Sequence, residues 1–274
     1  MSSSALHLPA LRVLGTGFFA PEYGSVRDVC AGVKRAPVMP PFALVEGRAR
    51  RFTSLVTQMH LEAAGQAVAA SSVDARTVRT IFASAGGELG TAVALLGAIG
   101  ANEPLSAARF VQSVHNTPSG VFGVATGNTA PSNTIAAGPD TVAAALVEAA
   151  LASPEDPGPR LVSFGDEAIP DVFRIARNYA PCAVAFVVAQ VRDDNAESKR
   201  EPRLELRADA HVGTRDAFDA FGDFRYSPVA PALAILRALQ SVTSEHSDVH
   251  VGALAPSGPW SGISCRVVRA ESSR

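Results

Sequence analysis

The sequence contains few of the residues that build small, covalently stapled or metal-bound proteins. Its three cysteines, Cys30, Cys182 and Cys265, are spread over 274 residues. Such scattered cysteines exclude a disulfide framework and provide no spaced ligand set for a structural zinc ion. We therefore expect a chain without bound metal or cofactor that folds in a reducing compartment.

Long apolar runs and an excess of charge of one sign are also missing. No run of about 18 apolar residues is present, as a membrane-spanning helix would require, and the first residues lack the basic and apolar regions of a signal peptide. The formal net charge is −2, which gives no reason to expect nucleic acid or an anionic membrane surface as a partner. The expected location is the cytoplasm.

What the sequence does contain is enough apolar material for one large domain, because 47% of its residues are hydrophobic. Three arginines, Arg48, Arg50 and Arg51, gather near the start of a predicted helix. They form either a solvated face or a docking site for an acidic partner such as a carrier protein.

Apolar segments of helical and extended period alternate along the chain. Helices are predicted over residues 47–70, 91–100, 141–151 and 228–242, and strands over 11–14, 78–84, 133–137, 160–164, 183–189 and 204–208. This alternation predicts an α/β fold with a mixed, mostly parallel sheet. In the helix over 141–151 Glu148 is the only charge, so we expect that helix to be buried between layers. Asp140 is suited to cap it.

The last third of the chain is less regular. Residues 192–203 are densely charged and predict an exposed connection. Residues 204–208 alternate like an edge strand, and residues 249–268 predict a closing hairpin.

Two glycine-rich turns invite a nucleotide-binding interpretation. Gly15 and Gly17 follow an apolar run, as in dinucleotide-binding turns, but Pro21 and Gly24 would interrupt the helix that such a site requires. We predict instead a first strand that enters a loop. The loop over residues 85–90 leaves a phosphate-binding nest as an alternative, although no lysine or Ser/Thr–Mg pattern follows it.

The segment Phe110-Val-Gln-Ser-Val-His-Asn, followed by Pro131-Ser-Asn-Thr-Ile-Ala-Ala-Gly-Pro-Asp, has the order of a strand, a tight turn and a buried helix. Together with Gly165-Asp-Glu-Ala it resembles the N-terminal lobe of β-ketoacyl synthases of the thiolase superfamily. The phrases Phe82-Ala-Ser-Ala-Gly-Gly-Glu-Leu-Gly and Ser113-Val-His-Asn are similar to the short ketosynthase-like proteins of aryl polyene and xanthomonadin-type pigment clusters. The resemblance implies a single domain, with a thiolase-like lobe over residues 10–190 and a non-standard extension over 191–274.

The same resemblance implies that the nucleophile is missing. The family's cysteine would lie at Pro139, or at Gly138 if the register slips by one, and neither residue can attack a thioester. The family's catalytic histidines come from a C-terminal lobe, and no matching segment follows residue 190. We therefore expect no catalytic residue, and a chain that is not an enzyme on its own.

Other candidate nucleophiles are weak. The cysteines lie in apolar or peripheral positions. Ser113 and Ser132 have no neighbouring histidine in the sequence to act as a base. His115 and Asn116 form the best polar pair, which is either catalytic or a histidine held at a subunit interface or helix end. An acyltransferase with an unrecognised nucleophile stays open as an alternative.

By resemblance, the chain fits a noncatalytic chain-length-factor-like subunit. Residues 133–137 would pair with a strand of a partner ketosynthase, and residues 110–122 would line or cap its acyl pocket. The pocket or interface residues so implied are Phe110, Val111, Ser113, His115, Asn116, Phe122, Asn133, Thr134 and Ile135. The implied partners are a β-ketoacyl synthase in a heterodimer, or a second copy of the chain, and an acyl carrier protein. A homodimeric scaffold that binds acyl chains or the carrier protein is a further alternative.

Overall fold

The computed structural model describes residues 8–41, 53–151, 158–191, 201–208, 215–241, 246–250 and 263–268. Its centre is one eight-stranded sheet with the strand order β3-β2-β4-β5-β1-β6-β8-β7. The strands are β1 (Leu11–Phe19), β2 (Arg79–Ala83), β3 (Ser132–Ile135), β4 (Arg160–Asp166), β5 (Cys182–Gln190), β6 (Arg203–Ala208), β7 (His246–His250) and β8 (Ile263–Val268).

The helices are α1 (Val26–Ala31), α2 (Leu55–Ser71), α3 (Leu89–Gly100), α4 (Ala107–Val111), α5 (Thr117–Thr126), α6 (Thr141–Ala150) and α7 (Ala230–Gln240). Short 3₁₀ segments occupy Gly138–Asp140, Asp171–Phe173 and Arg215–Phe224. The layered α/β fold predicted from the sequence is confirmed. No helix in the described ranges has both the length and the apolar character that crossing a bilayer requires.

The sheet is mixed, as predicted, but antiparallel pairs outnumber parallel ones among the described strands. Strand β2 is parallel to β3 and to β4, whereas β5 is antiparallel to β4 and to β1. Parallel neighbours need a crossover connection, and helices α3 to α6 lie between β2 and β4 in the chain. The connection from β4 to β5 contains only a short 3₁₀ segment, so β5 returns antiparallel.

One face of the sheet is covered by α2. The N-cap of this helix is Ser54, whose side chain accepts a hydrogen bond from the Thr57 amide. The helix packs closely because β1 presents glycines to it. A Cβ atom at Gly15 or Gly17 would collide with the carbonyl oxygens of Ala67 and Ala63 in α2. The glycine pair therefore lies inside a continuous strand and serves helix packing. The prediction that the strand gives way to a loop near Leu14 is wrong.

The other face is covered by α6 and α7. Every residue of α6 except Glu148 is buried, so the predicted burial of this helix is confirmed. The apolar residues of α7 and the inward side chains of β6 and β8 belong to the same core cluster as α6. The C-terminal segments thus cover the core and also extend the sheet.

Strand β6 is an interior strand, because it pairs with β1 at one edge and with β8 at the other. The prediction of an edge strand is therefore wrong. Its alternating pattern instead reflects one face turned to the core, with Leu204 and Leu206 buried. Strands β7 and β8 are antiparallel neighbours, as the predicted hairpin requires, while its turn lies outside the described residues. The predicted exposed connection over residues 192–203 also lies mostly outside them.

Candidate functional site

The turn that follows β3 is the centre of the candidate site. Gly138 adopts a left-handed backbone conformation with φ of 55°, which glycine tolerates best, and the exposed Pro139 follows it. The Thr141 hydroxyl donates to the Gly138 carbonyl at 2.7 Å and accepts from the Ala137 amide at 3.0 Å. The turn is thus held by Thr141.

Asp140 does not cap α6 as predicted, since its side chain makes no capping hydrogen bond. The residue is buried, and its Oδ1 has no hydrogen-bond partner within the described ranges. Burial raises the pKa of this carboxyl. The reason for the failed prediction is that the 3₁₀ turn runs directly into α6, so Asp140, with φ of −94° and ψ of 8°, lacks the extended backbone conformation of a capping residue.

A cavity of about 430 Å³ opens above this turn. Its lining includes Gly86, Gly138, Pro139, Glu167, Tyr179 and Tyr226. The cavity lies beyond the carboxyl ends of the parallel strands β2, β3 and β4, which is the usual position of a binding site in an α/β sheet. No histidine or cysteine is among its lining residues in the described part of the chain.

Asp166, at the end of β4, organises the cavity floor. Its carboxylate accepts hydrogen bonds from the Ser84 hydroxyl at 2.9 Å and from the Ala85 and Gly86 amides at 3.1 and 2.8 Å. Burial raises the pKa of Asp166 to about 6, although these three hydrogen bonds oppose the shift.

The next residue, Glu167, accepts from the Gly90 amide at 2.9 Å, and burial also raises its pKa. The Gly87 amide donates to the Ser84 hydroxyl at 2.7 Å. The amides of Ala85, Gly86, Gly87 and Gly90, which would contribute most of a phosphate nest, are thus already bound to protein oxygens. The alternative of a phosphate-binding loop is therefore wrong.

Glu88 fixes the same loop to the start of α2. Its carboxylate accepts from the hydroxyls of Ser54 at 2.8 Å, Thr57 at 2.6 Å and Thr91 at 3.1 Å. With Asp166 and Glu167, three acidic side chains thus position one short loop. Sequence reasoning noted the Asp-Glu pair but assigned it no role, because its hydrogen-bond donors lie about 80 positions away in the chain.

His115 lies behind the loop, where its ring contacts Gly87 so closely that a Cβ atom there would collide with it. The Nε2 atom of His115 is buried and has no hydrogen-bond partner among the described residues. A second histidine, His60, lines the same narrow hollow. Its Nδ1 lies 2.8 Å from the Ser163 hydroxyl, and burial lowers its pKa to about 3. His60 could not be recognised from the sequence, because it stands within an apolar helical face.

Neither candidate hydroxyl nucleophile is hydrogen-bonded to a base among the residues that the structure describes. Ser113 donates to the Phe110 carbonyl at 2.8 Å, and the Ser132 hydroxyl lies 2.6 Å from that of Ser119. Among the cysteines, Cys30 and Cys182 have pKa values raised by burial, and none of the three lines the cavity.

The predicted partner surface lies at the sheet edge formed by β3. In the described part of the chain β3 pairs only with β2, and its first two residues are exposed. The exposed Asn133 donates to Glu148 at 2.7 Å, while Thr134 and Ile135 are half-buried. Asn116 is exposed at the start of α5.

Helices α3 to α5 and their connections carry exposed apolar side chains. We call this set the apolar strip; it comprises Leu96, Ile99, Leu105, Phe110, Val111, Val114 and Val124. Phe110 and Val111 are 65% and 68% exposed. Phe122, by contrast, is 1% exposed and packs against Phe82 with ring centroids 5.9 Å apart. Phe122 is therefore a core residue of its own protomer and has no surface with which to line a partner's pocket.

Solved structures of similar architecture include a ketosynthase (ApeO) in complex with its chain length factor (ApeC) from Xenorhabdus doucetiae. The match has a TM-score of 0.65 and 17% identity, and it covers 95% of this chain and 99% of that chain. The ishigamide ketosynthase/chain length factor matches with a TM-score of 0.57 and 18% identity over 78% of this chain and 74% of that chain.

A third similar structure is AntDE:AntF, described as a type II PKS acyl-carrier protein in complex with its ketosynthase bound to the hexaketide. Its TM-score is 0.60 at 11% identity, covering 96% of this chain and 100% of that chain. At such low identities these matches show a shared, thiolase-like fold. No curated protein has a significantly similar sequence.

The family model described as "Beta-ketoacyl synthase, N-terminal domain" matches residues 29–240. This range contains the turn at Pro139 and extends through α7, well past residue 190, where the sequence resemblance was expected to weaken. The chain belongs to the β-ketoacyl synthase N-terminal domain family.

Proposed function

We propose that the chain is a noncatalytic, chain-length-factor-like subunit that pairs with an active β-ketoacyl-acyl carrier protein synthase. The observation that carries this proposal is Pro139 in the turn after β3, where the resemblance implies that the family carries its nucleophile. A proline ring has no group that could accept an acyl chain, and no histidine or cysteine lines the described cavity above it. The expected pathway is aryl polyene or related polyketide or fatty-acid-type biosynthesis.

The surface around β3 supports a partner. An edge strand exposes backbone groups that can pair with another chain, and the neighbouring apolar strip is the kind of surface that marks a protein interface. Phe110 and Val111 of the strip are 65% and 68% exposed, so they are the side chains that we expect to reach the partner's acyl pocket. The partner would supply the cysteine and histidines, and an acyl carrier protein would deliver the substrate.

Similar structures support the same kind of assembly, since two of them contain a ketosynthase with a chain length factor and one contains a ketosynthase with an acyl carrier protein. A second candidate function is a homodimeric scaffold that binds acyl chains or the carrier protein. It is favoured by the same exposed edge, because β3 could pair with β3 of a second copy.

Co-expression with the ketosynthase encoded nearest to this chain tests the proposal. We expect a stable one-to-one complex by affinity purification and native mass, with condensing activity that neither chain shows alone. A homodimer that ignores every nearby ketosynthase would overturn the proposal and favour the scaffold. Turnover of an acyl thioester by the isolated chain, lost in His115→Ala, would instead indicate an acyltransferase.

A further inference from the structure

Two exposed segments flank a second cavity, of about 590 Å³, at one edge of the sheet. Lys34 and Pro37 line this cavity from the segment that follows α1, and Ala168 and Asn178 line it from the connection between β4 and β5. Because β1 and β4 are both antiparallel to β5, their carboxyl ends lie at the same edge. The two segments therefore project from one side of the molecule.

The connection between β4 and β5 contains a compact loop with fixed ends. The Asn178 side chain donates to the Ile169 carbonyl at 2.8 Å and accepts from the Ile169 amide at 2.9 Å. These two bonds join the ends of the stretch 169–178, as in compact surface loops that are often functional. Within the stretch, Arg174 has a φ of 49° and its amide donates to the Asp171 carbonyl at 2.9 Å. The loop is thus held in one shape by its own hydrogen bonds.

The side chains that this loop presents to solvent are largely apolar. Val172 and Phe173 are 67% and 51% exposed, and Ile175 is exposed as well. On the other side of the second cavity, Val38 and Met39 are also exposed. Exposed apolar side chains that gather on one side of a protein mark an interaction site.

Arginine side chains stand beside these apolar residues. The guanidinium groups of Arg177 and Arg225 lie over the Tyr226 ring, at 5.2 and 4.7 Å from its centroid, and Arg174 is exposed between Phe173 and Ile175. None of the three arginines forms an ion pair with a residue that the structure describes. We call this set the projecting face; it comprises Val38, Met39, Val172, Phe173, Arg174, Ile175, Arg177 and Arg225.

A lipid surface fits the projecting face better than a folded protein does. A specific protein interface buries about 800 Å² on each partner, whereas this face consists of two narrow segments with an open cavity between them. Lipid molecules adapt to separate apolar tips, which enter the boundary between headgroups and acyl chains. Guanidinium groups beside such tips remain at the depth of the headgroups, where they bind lipid phosphates.

We propose that the projecting face docks onto the surface of an anionic lipid bilayer without crossing it. Phe173 and Met39 enter the apolar boundary, and Arg174 and Arg177 bind lipid phosphates. The net charge of −2 does not indicate such a surface, because it sums over the whole chain and these arginines gather on one side. The inference goes beyond the proposed heterodimer and does not depend on it, since it uses no residue of β3 or of the apolar strip.

Sedimentation of the full-length protein with lipid vesicles tests this inference. The unchanged protein should bind vesicles of phosphatidylcholine mixed with phosphatidylglycerol, bind pure phosphatidylcholine more weakly, and leave the mixed vesicles when salt is added. Phe173→Ser should weaken the binding several-fold, because it removes apolar surface that enters the bilayer. Leu151→Ser is the matched control, since Leu151 is also exposed but follows α6 beside the end of β5, at the opposite edge of the sheet.

The contribution of charge is tested by a second pair of variants. Arg174→Gln should weaken binding to the mixed vesicles about fivefold, as expected for one arginine near an anionic surface, and should leave binding to pure phosphatidylcholine unaltered. Arg76→Gln is the control, because Arg76 is exposed just before β2, at the opposite edge of the sheet.

Absence of binding to both kinds of vesicle would overturn the inference, as would equal binding by folded Phe173→Ser and the unchanged protein. Val172→Ser provides the same comparison if Phe173→Ser does not fold. Loss of a ketosynthase or carrier-protein complex in Phe173→Ser, without any effect on vesicle binding, would assign the face to a protein partner instead. Vesicle binding by a chain that ignores every nearby ketosynthase would support this inference and overturn only the proposed function.

Discussion

At the scale of single residues, two buried groups near the cavity titrate with opposite effects on stability. The pKa of Asp166 is raised from 3.8 to about 6, so its contribution to stability is present below its ordinary pKa and is lost as the pH rises through about 6. The pKa of His60 is lowered from 6.5 to about 3. Its contribution is present above its ordinary pKa and is lost as the pH falls through about 3.

Between about pH 4 and 6, the contribution of Asp166 to stability falls as the pH rises, while that of His60 increases. The two changes partly cancel in the unchanged protein. Asp166→Asn removes only the first term, so its stability should increase more steeply with pH across this range than that of the unchanged protein. Over this pH interval, the change in the free energy of unfolding should differ between the two proteins by as much as about 3 kcal/mol. Urea unfolding at a series of pH values measures it.

A lower stability is expected for the same variant at about pH 4, where the unchanged protein still has the contribution of Asp166. An asparagine amide cannot accept all three hydrogen bonds that Asp166 accepts, and a buried donor left without a partner costs about 1–3 kcal/mol. Asp171→Asn is the control, because Asp171 is exposed in the following loop. Parallel pH profiles for Asp166→Asn and the unchanged protein would contradict the assignment of the titration to Asp166.

Pro139 gives a second prediction at this scale. Pro139→Cys should place a thiol at the exposed turn, where iodoacetamide would modify it and add the corresponding mass. Condensing activity of the isolated chain should stay absent, because no histidine lines the described cavity to support decarboxylation. Condensation by the isolated Pro139→Cys protein would show that the remaining machinery is present and would contradict the proposed noncatalytic role.

At the scale of secondary structure, the contact between β1 and α2 depends on residues without side chains. A Cβ atom at Gly17 would collide with the carbonyl oxygen of Ala63, which is a main-chain atom and cannot rotate away. Gly97, in the exposed part of α3, has open space around it. The two glycines therefore form a matched pair.

Gly17→Ala should lower the free energy of unfolding by about 1–3 kcal/mol through overpacking. Gly97→Ala should raise it by about 0.5–1 kcal/mol, because alanine is less flexible than glycine in the unfolded chain and favours helix. Denaturant unfolding of the two variants compares them directly. A neutral Gly17→Ala would mean that α2 can move away from β1 without loss.

The existence of most elements could be predicted from the sequence, because periodicity reports which face of an element is buried. The predicted helix over 141–151 corresponds to α6, and the predicted strand over 183–189 corresponds to β5. Which strands are neighbours in the sheet was harder to predict from the sequence. An alternating pattern such as that of β6 is the same for an edge strand and for an interior strand with one solvent face, because it depends on side chains while pairing depends on the backbone.

The candidate site also has one part that could be predicted from the sequence and one part that could not. The turn at Pro139 was identified because its neighbours are adjacent in the chain. The carboxylates of Asp166 and Glu167, which hold the 85–90 loop, depend on contacts between residues far apart in sequence. Phe122 was predicted to line a partner's pocket, and its helix does contribute to the apolar strip. The Phe122 side chain, however, points inward and packs against Phe82.

At the scale of the whole molecule, the apolar strip and the edge of β3 form the surface that the proposed function requires. A carboxylate in such an interface would be desolvated without a partner, so Val111→Glu should abolish complex formation with the ketosynthase. Val33→Glu is the matched control, because Val33 is 58% exposed and lies after α1, outside the strip. Native mass of the co-expressed proteins gives the readout. Equal complex formation by the two variants would place the interface elsewhere.

The position of β1 between β5 and β6 has a consequence for synthesis on the ribosome. Leu11 pairs with Gln190 on one side and with Leu204 on the other, so β1 emerges long before either of its neighbours. Until then the backbone hydrogen-bonding groups on both sides of β1 have no neighbouring strand. The surface at Gly15 and Gly17, which contacts α2, also has no strand beside it. Such long-range pairing slows folding and prolongs exposure to aggregation. The nascent chain should therefore depend on protection by chaperones until β6 has left the exit tunnel.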